Sequence, residues 1–372
     1  GALVASHEIR TMGQCLSTTM ISSALLVMLA VRCCRVAELQ AKFAFFPPPP
    51  SYRLSTAQDA SGACQLSLGT AQKTVEYFLS QHREIRVEAR MLQTAHGHFI
   101  PLLQVQHSAA RCTLIWSHGN AEDAGEALRF CLVLAVKLKL SVAIYDYPGY
   151  GVASGSPRES TVCASISCVY EYLTTSGTDP QTIILYGQSV GSGPSVWLAS
   201  RKKSPLAGLI LHAPLASGLT TLIGPAMAAA CCSPVCIFST CDMFPNAKRI
   251  RRVACPSLFI HGTDDEVIDV SASTILHERC REPFKRTPPY YVQGAGHSDV
   301  QMIESERYFE VLDEFLHSIG RPRQDPVAMS PLADTLLVEM FSRDFHEGSL
   351  EASLESHAQP LESTSGGHGL KY

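Results

Sequence analysis

The chain has 372 residues, 46% of them apolar and 17% charged, with a net charge of −4 and 14 cysteines. That length holds one large α/β domain plus tails, and the negative balance argues against a nucleic-acid binder. No pair of Cys-x-x-Cys motifs offers a structural zinc site, and the irregular cysteine spacing reads as reduced cytosolic thiols rather than a disulfide framework.

Residues 11–31 form a stretch of 21 residues without a charge, apolar from Met20 onward. A membrane span takes about 20 mainly apolar residues, so the stretch is marginal. Signal peptide, signal anchor and interfacial segment all stay open. Met28 occupies a position where signal cleavage wants a small residue. Arg32, Arg35 and Lys42 follow, which in the anchor reading puts the rest of the chain on the cytosolic side. Met12-Gly13-Gln14-Cys15-Leu16-Ser17 also fits the myristoylation pattern, with Gly13 the acceptor if translation starts at Met12. One myristoyl chain binds a membrane weakly, so stable attachment needs a second acyl group, for which Cys15, Cys33 and Cys34 are available. Membrane lipid is therefore an expected partner of residues 1–50.

Residues 47–50 are all proline and read as a stiff boundary. The main folded domain is expected over 51–322. Residues 51–82 are ambiguous. Residues 85–89 alternate as a strand, and His96-Gly97 turns the chain into a second strand near 98–105, an antiparallel opening to the sheet. His96 and His98 lack a third ligand nearby, so a solvated hairpin is expected there rather than a metal site.

Strands and helices then alternate. Strands are expected at 112–116, 141–145, 182–186, 206–211, 253–260 and 289–292, and helices at 124–138 and 159–174. Residues 217–245 break the rhythm. The last helix is marked by Tyr308, Val311, Leu312, Phe315, Leu316 and Ile319, which share one face. This order predicts an α/β protein with a mostly parallel central sheet covered by helices on both faces. Residues 323–372 are polar and Ser/Glu/His-rich, and are expected to be largely disordered with one amphipathic turn near 335–345.

The chemistry centres on Gly187-Gln188-Ser189-Val190-Gly191, which follows the apolar run 182–186 and precedes a helical segment. Gly-x-Ser-x-Gly between strand and helix exposes the serine hydroxyl on a sharp turn, and the flanking glycines let strand and helix approach. A serine nucleophile needs a base, and the base needs an orienting acid. On such a sheet both belong on loops after later strands. His297 follows the last strand between small residues, and Asp265 follows the preceding strand. Asp265 is preferred over its neighbour Asp264 because it stands third after the turn-forming Gly262. Asp146 ends a strand ahead of the nucleophile and reads as structural. The oxyanion needs two backbone N–H donors: Val190, and either Asn120 or Ala121 from the loop Ser117-His118-Gly119-Asn120-Ala121.

These motifs, with Asp146-Tyr147-Pro148-Gly149-Tyr150-Gly151, His261-Gly262-Thr263-Asp264-Asp265-Glu266-Val267-Ile268 and Gly294-Ala295-Gly296-His297, resemble the α/β-hydrolase superfamily. With Ala41-Lys42-Phe43-Ala44-Phe45-Phe46-Pro47-Pro48 and Phe244-Pro245-Asn246, the chain resembles more narrowly the α/β-hydrolase domain-containing protein 17 family of protein depalmitoylases, over residues 33 to 320. The resemblance implies a serine hydrolase of the α/β-hydrolase fold on the cytosolic face of plasma or endosomal membranes. It implies S-palmitoylated membrane proteins as substrates, Ser189 as nucleophile, Asp265 as acid, His297 as base, and Cys33 and Cys34 as acyl acceptors. No cofactor and no metal are implied. The chain departs from the family pattern in its sparse cysteine cluster, a segment at 228–236 and a long C-terminal tail. The alternatives are a lipase or carboxylesterase acting on oxygen esters with the same three residues, and a membrane scaffold without activity.

Overall fold

The computed structural model describes residues 44–58, 62–201, 206–223, 242–286 and 288–320. The uncharged stretch 11–31, the lipidation residues Gly13, Cys15, Cys33 and Cys34, the segment 228–236 and the tail 323–372 lie outside the described residues. Among the described residues no helix is long and apolar enough to cross a membrane.

Apolar runs set the sheet. Among the described residues it has ten strands, in the order β1-β2-β3-β4-β6-β5-β7-β8-β9-β10. The ambiguous opening resolves into β1 (Arg53–Gln58), β2 (Cys64–Ser67) and helix α1 (Gln72–Gln81). Next come β3 (Ile85–Gln93) and β4 (Phe99–His107), antiparallel about the turn at Gly97, whose φ is +78°. β4 then pairs antiparallel with β6 (Ser141–Tyr145). From β6 onward the sheet is parallel: β6, β5 (Thr113–Ser117), β7 (Ile183–Gln188), β8 (Gly208–His212), β9 (Ser257–Gly262) and β10 (Tyr290–Val292). β8 and β9 are buried at every position, which is why they read as continuous apolar runs instead of alternating ones.

Strand side chains alternate between the two faces. Ile115, Leu185, Leu209 and Phe259 join one core, with Val162 and Ile166 of α3 (Glu159–Thr175) and Val196 of α4 (Ser192–Arg201). Trp116 and Tyr186 point the other way and stack at 4.1 Å between ring centroids. They meet Phe130 of α2 (Ala124–Leu138) and Tyr308 of α7 (Ser305–Ser318). Such aromatic pairs add about 0.5–1.5 kcal/mol each beyond the area they bury. After β8, α5 (Gly218–Ile223) leads out of the described residues, and α6 (Ser271–Arg279) follows β9.

Helix ends follow side-chain chemistry. Asp123 caps α2, accepting from Gly125 N–H at 3.0 Å and Glu126 N–H at 3.1 Å. Lys139 closes it in the left-handed region, with φ of +46°. The seven described cysteines are free thiols, six of them buried. The strand expected at 253–260 begins later, at Ser257, because Pro256 cannot donate to the ladder.

Strand order decides where a ligand can sit. The chain passes from β5 outward to β6, then returns to place β7 on the other side of β5. Loops leaving β5 and β7 therefore diverge to opposite faces and open a crevice at the carboxyl ends of these strands.

Candidate active site

Ser189 stands at that crevice, directly after β7. Its φ is +52°, in the left-handed region that a side chain with a Cβ rarely occupies. Such a residue costs about 1–3 kcal/mol and persists only where its surroundings over-determine it. Here Ser192 Oγ–H donates to the Ser189 carbonyl at 2.6 Å, and Leu215 N–H donates to Ser192 Oγ at 3.2 Å. The flanking glycines are required by contact. A Cβ on Gly187 would lie 2.6 Å from the Gly191 carbonyl oxygen. One on Gly191 would lie 2.0 Å from the Ser117 carbonyl oxygen.

The loops after β9 and β10 are laced together. Thr263 N–H donates to the Val292 carbonyl at 2.9 Å, and Asp264 N–H to the Ala295 carbonyl at 2.9 Å. Gly294 N–H donates to Thr263 Oγ1 at 2.9 Å. This lacing brings Asp265 and His297 together. His297 Nδ1 lies 2.7 Å from Asp265 Oδ2, and its Nε2 lies 2.9 Å from Ser189 Oγ. A carboxylate only accepts, so Nδ1 carries the proton and Nε2 is the acceptor facing the serine hydroxyl. Asp264 points elsewhere: it is exposed and accepts from Thr263 Oγ1 at 2.9 Å.

Asp265 has more partners than its sequence neighbourhood announces. Its Oδ1 accepts from Val267 N–H at 2.9 Å and Ile268 N–H at 2.7 Å. Its Oδ2 accepts from His297 and also from the buried His261, whose Nε2 is 3.0 Å away. His261 Nε2 is 2.8 Å from the Ile268 carbonyl as well, so both neighbours are acceptors and Nε2 must carry the proton. Ser273 Oγ–H then donates to His261 Nδ1 at 2.7 Å. Burial by itself pushes the Asp265 carboxyl up, but the hydrogen bonds from His261 and His297 overcome it and hold the carboxyl well below the usual range. His261 was not singled out from the sequence. The available signal was the His-Gly pair at the end of a strand, directly before Thr-Asp-Asp.

The loop after β5 lies against the turn that carries Ser189, since Gly191 packs on the carbonyls of Ser117 and His118. Val190 is buried in the first turn after Ser189. In the loop, Gly119 N–H is already engaged by Glu122 Oε1 at 2.8 Å. Asn120 is half-buried and Ala121 exposed. A buried network supports this loop from below. His118 Nε2 faces Asp146 Oδ1 at 3.3 Å, an ion-pair contact. Asp146 also accepts from Ala124 N–H at 2.8 Å and from the Tyr52 hydroxyl. Burial works against charge on His118, but the Asp146 carboxylate outweighs it and raises the imidazole above its ordinary value. His212, at the end of β8, has no carboxylate in hydrogen-bond contact, and burial pushes it down to about 3.

The Asn120 side chain is engaged by the chain's lead-in and by Tyr150. Its Oδ1 accepts from Phe46 N–H at 3.0 Å and from the Tyr150 hydroxyl at 2.6 Å. Its Nδ2 donates to the Ala44 carbonyl at 2.9 Å. Phe45 is buried against Tyr150 and Phe244. Ser51 N–H ties the far end of the lead-in to Asp123 at 2.7 Å. Residues 44–50, which the sequence assigns to the attachment segment, thus form a strap across the loop beside Ser189. Aromatic side chains with a buried slot to fill hold it there.

Comparison with known proteins gives the relationship. A family model described as serine aminopeptidase, S33, matches residues 108–234. The chain is 37% identical over 281 residues to alpha/beta hydrolase domain-containing protein 17B of Homo sapiens, covering 75% of this chain and 91% of that protein. It is 37% identical over 297 residues to protein 17C of Xenopus laevis, covering 75% and 89%. Among solved structures, a Pyrococcus furiosus esterase superposes with a TM-score of 0.51 at 17% identity, covering 65% of this chain and 96% of that one, a likeness of fold alone. The chain is an α/β hydrolase and belongs to the α/β-hydrolase domain-containing protein 17 family.

Proposed function

We propose that this chain is a membrane-associated serine hydrolase that releases palmitate from cysteine thioesters of S-acylated proteins. The observation that carries the hydrolase chemistry is the continuous hydrogen-bonded line from Ser189 through His297 to Asp265. Membership of the protein 17 family, with the thioester activity its resemblance implies, supports the substrate class. In this reading His297 Nε2 takes the Ser189 proton as Oγ attacks the acyl carbonyl. The tetrahedral oxyanion meets the N–H of Val190 and that of Asn120 or Ala121; losing one such donor typically costs about 3 kcal/mol. Asp265 stabilises the imidazolium and keeps its tautomer. The carbon–sulfur bond then breaks and the thiolate leaves, taking the proton from His297. A thiol of pKa about 8.5 leaves far more readily than an alcohol, so the thioester asks less of His297 as an acid. Water, deprotonated by His297, attacks the acyl-enzyme and frees the fatty acid. No cofactor, metal or nucleic acid enters the scheme. Attachment through residues 1–50, with acyl groups on Gly13, Cys15, Cys33 or Cys34, would hold the enzyme on the cytosolic face beside its substrates.

The test is turnover of an S-palmitoylated peptide against its serine O-palmitoyl counterpart, by the full chain and by Ser189→Ala. Faster thioester turnover, reduced on the order of 10⁴-fold or more in the variant, is the expected result. Preference for the oxygen ester would replace this reading with a lipase. A folded chain inactive on both, and unlabelled at Ser189 by a fluorophosphonate, would leave only a scaffold.

A further inference from the structure

Among the described residues, the large apolar side chains left exposed are Phe46, Phe99, Val267, Met302 and Ile303. They do not scatter over the surface. Phe46 lies on the strap beside the loop after β5. Phe99 opens β4, which runs antiparallel to β6, so it stands past the carboxyl end of β6. It exchanges hydrogen bonds with Ser154 in the loop that follows β6. Val267 follows Asp265 in the loop after β9, and Met302 and Ile303 follow the His297 loop after β10. All of them stand at the edge of the sheet that carries Ser189. The opposite edge, where residues 108–111, 139–140 and 176–182 lead into β5, β6 and β7, carries none.

We infer that this edge is an interfacial surface that rests on a phospholipid bilayer, with the five side chains inserted around the site. Their spread favours a bilayer over a protein partner. Between β4 and β10 lie six strand spacings, about 29 Å at ~4.8 Å each. A fluid hydrocarbon surface accepts separated insertions without the shape complementarity a protein contact needs. The chain outside the described residues points the same way. The uncharged stretch 11–31 precedes Ala44, on this edge, by only residues 32–43, a reach of at most about 45 Å. Residues 224–241 also lack any charge, and they depart after Ile223 and return at Asp242, in the connection that leaves the carboxyl end of β8. Exposed Asp264, Glu266 and Asp269 flank Val267, so contact through this edge gains nothing from anionic lipid. The inference deepens the acyl-hydrolase reading and rests on it for its purpose: an acyl chain would reach Ser189 from the bilayer without crossing water.

The experiment is amide hydrogen exchange on the full chain, with and without phosphatidylcholine vesicles, repeated at high salt and with phosphatidylserine added. We expect segments 44–46, 264–268 and 299–304 to slow on vesicles while 108–111 and 176–182 do not change, irrespective of salt or phosphatidylserine. In parallel, Met302→Gln with Ile303→Gln should keep wild-type turnover of a water-soluble short-chain thioester but lose roughly tenfold on a vesicle-embedded palmitoyl peptide. A chain that binds vesicles without slowing at these segments overturns the inference, as does failure to bind. Slowing that follows protein concentration instead of vesicles assigns the edge to a second copy and overturns it too. Vesicle-dependent slowing in a chain that hydrolyses neither substrate supports the surface and refutes the thioesterase reading.

Discussion

Replacing His261 with leucine tests whether the second imidazole on Asp265 tunes the site or merely fills space. Asp265 accepts four hydrogen bonds, from His297, His261, Val267 and Ile268. Leucine deletes one. A hydrogen bond to a charged group is worth about 1.5–3 kcal/mol, which at 1.36 kcal/mol per unit corresponds to about 1–2 pKa units on the carboxyl. Asp265 starts well below the usual range, so it stays ionised at neutral pH in the variant. Its charge, less satisfied, then holds the His297 imidazolium more tightly. The acid limb of kcat/KM reports the ionisation of the free site to which this carboxylate is coupled. It should move to higher pH by several tenths to about one unit, with less than tenfold loss on the plateau. His212 also lies close, but at about 3 it is neutral throughout the measured range and does not confuse the limb. Asp269, the other charged group near His261, is held below its ordinary value and stays ionised there. The assay is the pH profile of soluble-ester hydrolysis for wild type, His261→Leu and His261→Gln. The glutamine keeps a donor near the Nε2 position and should restore most of the wild-type limb. An unmoved limb in the leucine variant, with activity falling only as the folded fraction falls, refutes the argument.

Other consequences follow from the same geometry. The Asp265 carboxyl has a folded pKa below its unfolded value, so the stability it supplies is present above about pH 4 and fades as pH falls toward the folded value. Denaturation midpoints of wild type and Asp265→Asn should therefore differ most above pH 5 and converge in acid. Gly191→Ala places a methyl 2.0 Å from the Ser117 carbonyl oxygen, where only backbone can give way. It should lower the melting temperature by about 5 °C or more and abolish fluorophosphonate labelling. Asn120→Ala removes two hydrogen bonds to the strap, at Phe46 and Ala44, and one from the Tyr150 hydroxyl, and should cost about 1–3 kcal/mol of local stability. Limited proteolysis near residues 44–50 should accelerate while the global midpoint moves little.

Much of this arrangement was legible in one dimension. Alternation of apolar runs with helical periods, and turn residues at strand ends, carry local information, so β5 to β10 and helices α2, α3 and α4 were placed within a few residues, while α5 and α6 were not read. Gly-x-Ser-x-Gly was readable because its requirements are local: a left-handed Ser189 and glycines on either side of it. Asp265 and His297 were readable by position, each on a loop after a late strand. Long-range pairing was not readable. That β7 returns to the far side of β5 is a property of the whole sheet, and it alone opens the crevice. That His261 turns toward Asp265 depends on Ser273 and the Ile268 carbonyl meeting it from a helix and a loop. The lead-in was misleading for a physical reason. Four prolines remove N–H donors and announce a boundary, yet a proline stretch between two anchors packs as readily as it links. Phe45 needs a slot formed by Tyr150 and Phe244, which stand 105 and 199 residues further along the chain. The sequence by itself determined the elements and the chemistry of the turn, because backbone sterics and apolar period act over a few residues. The tertiary structure decided which polar groups share Asp265 and what covers the loop beside Ser189, because burial and hydrogen-bond satisfaction are settled only when distant segments meet.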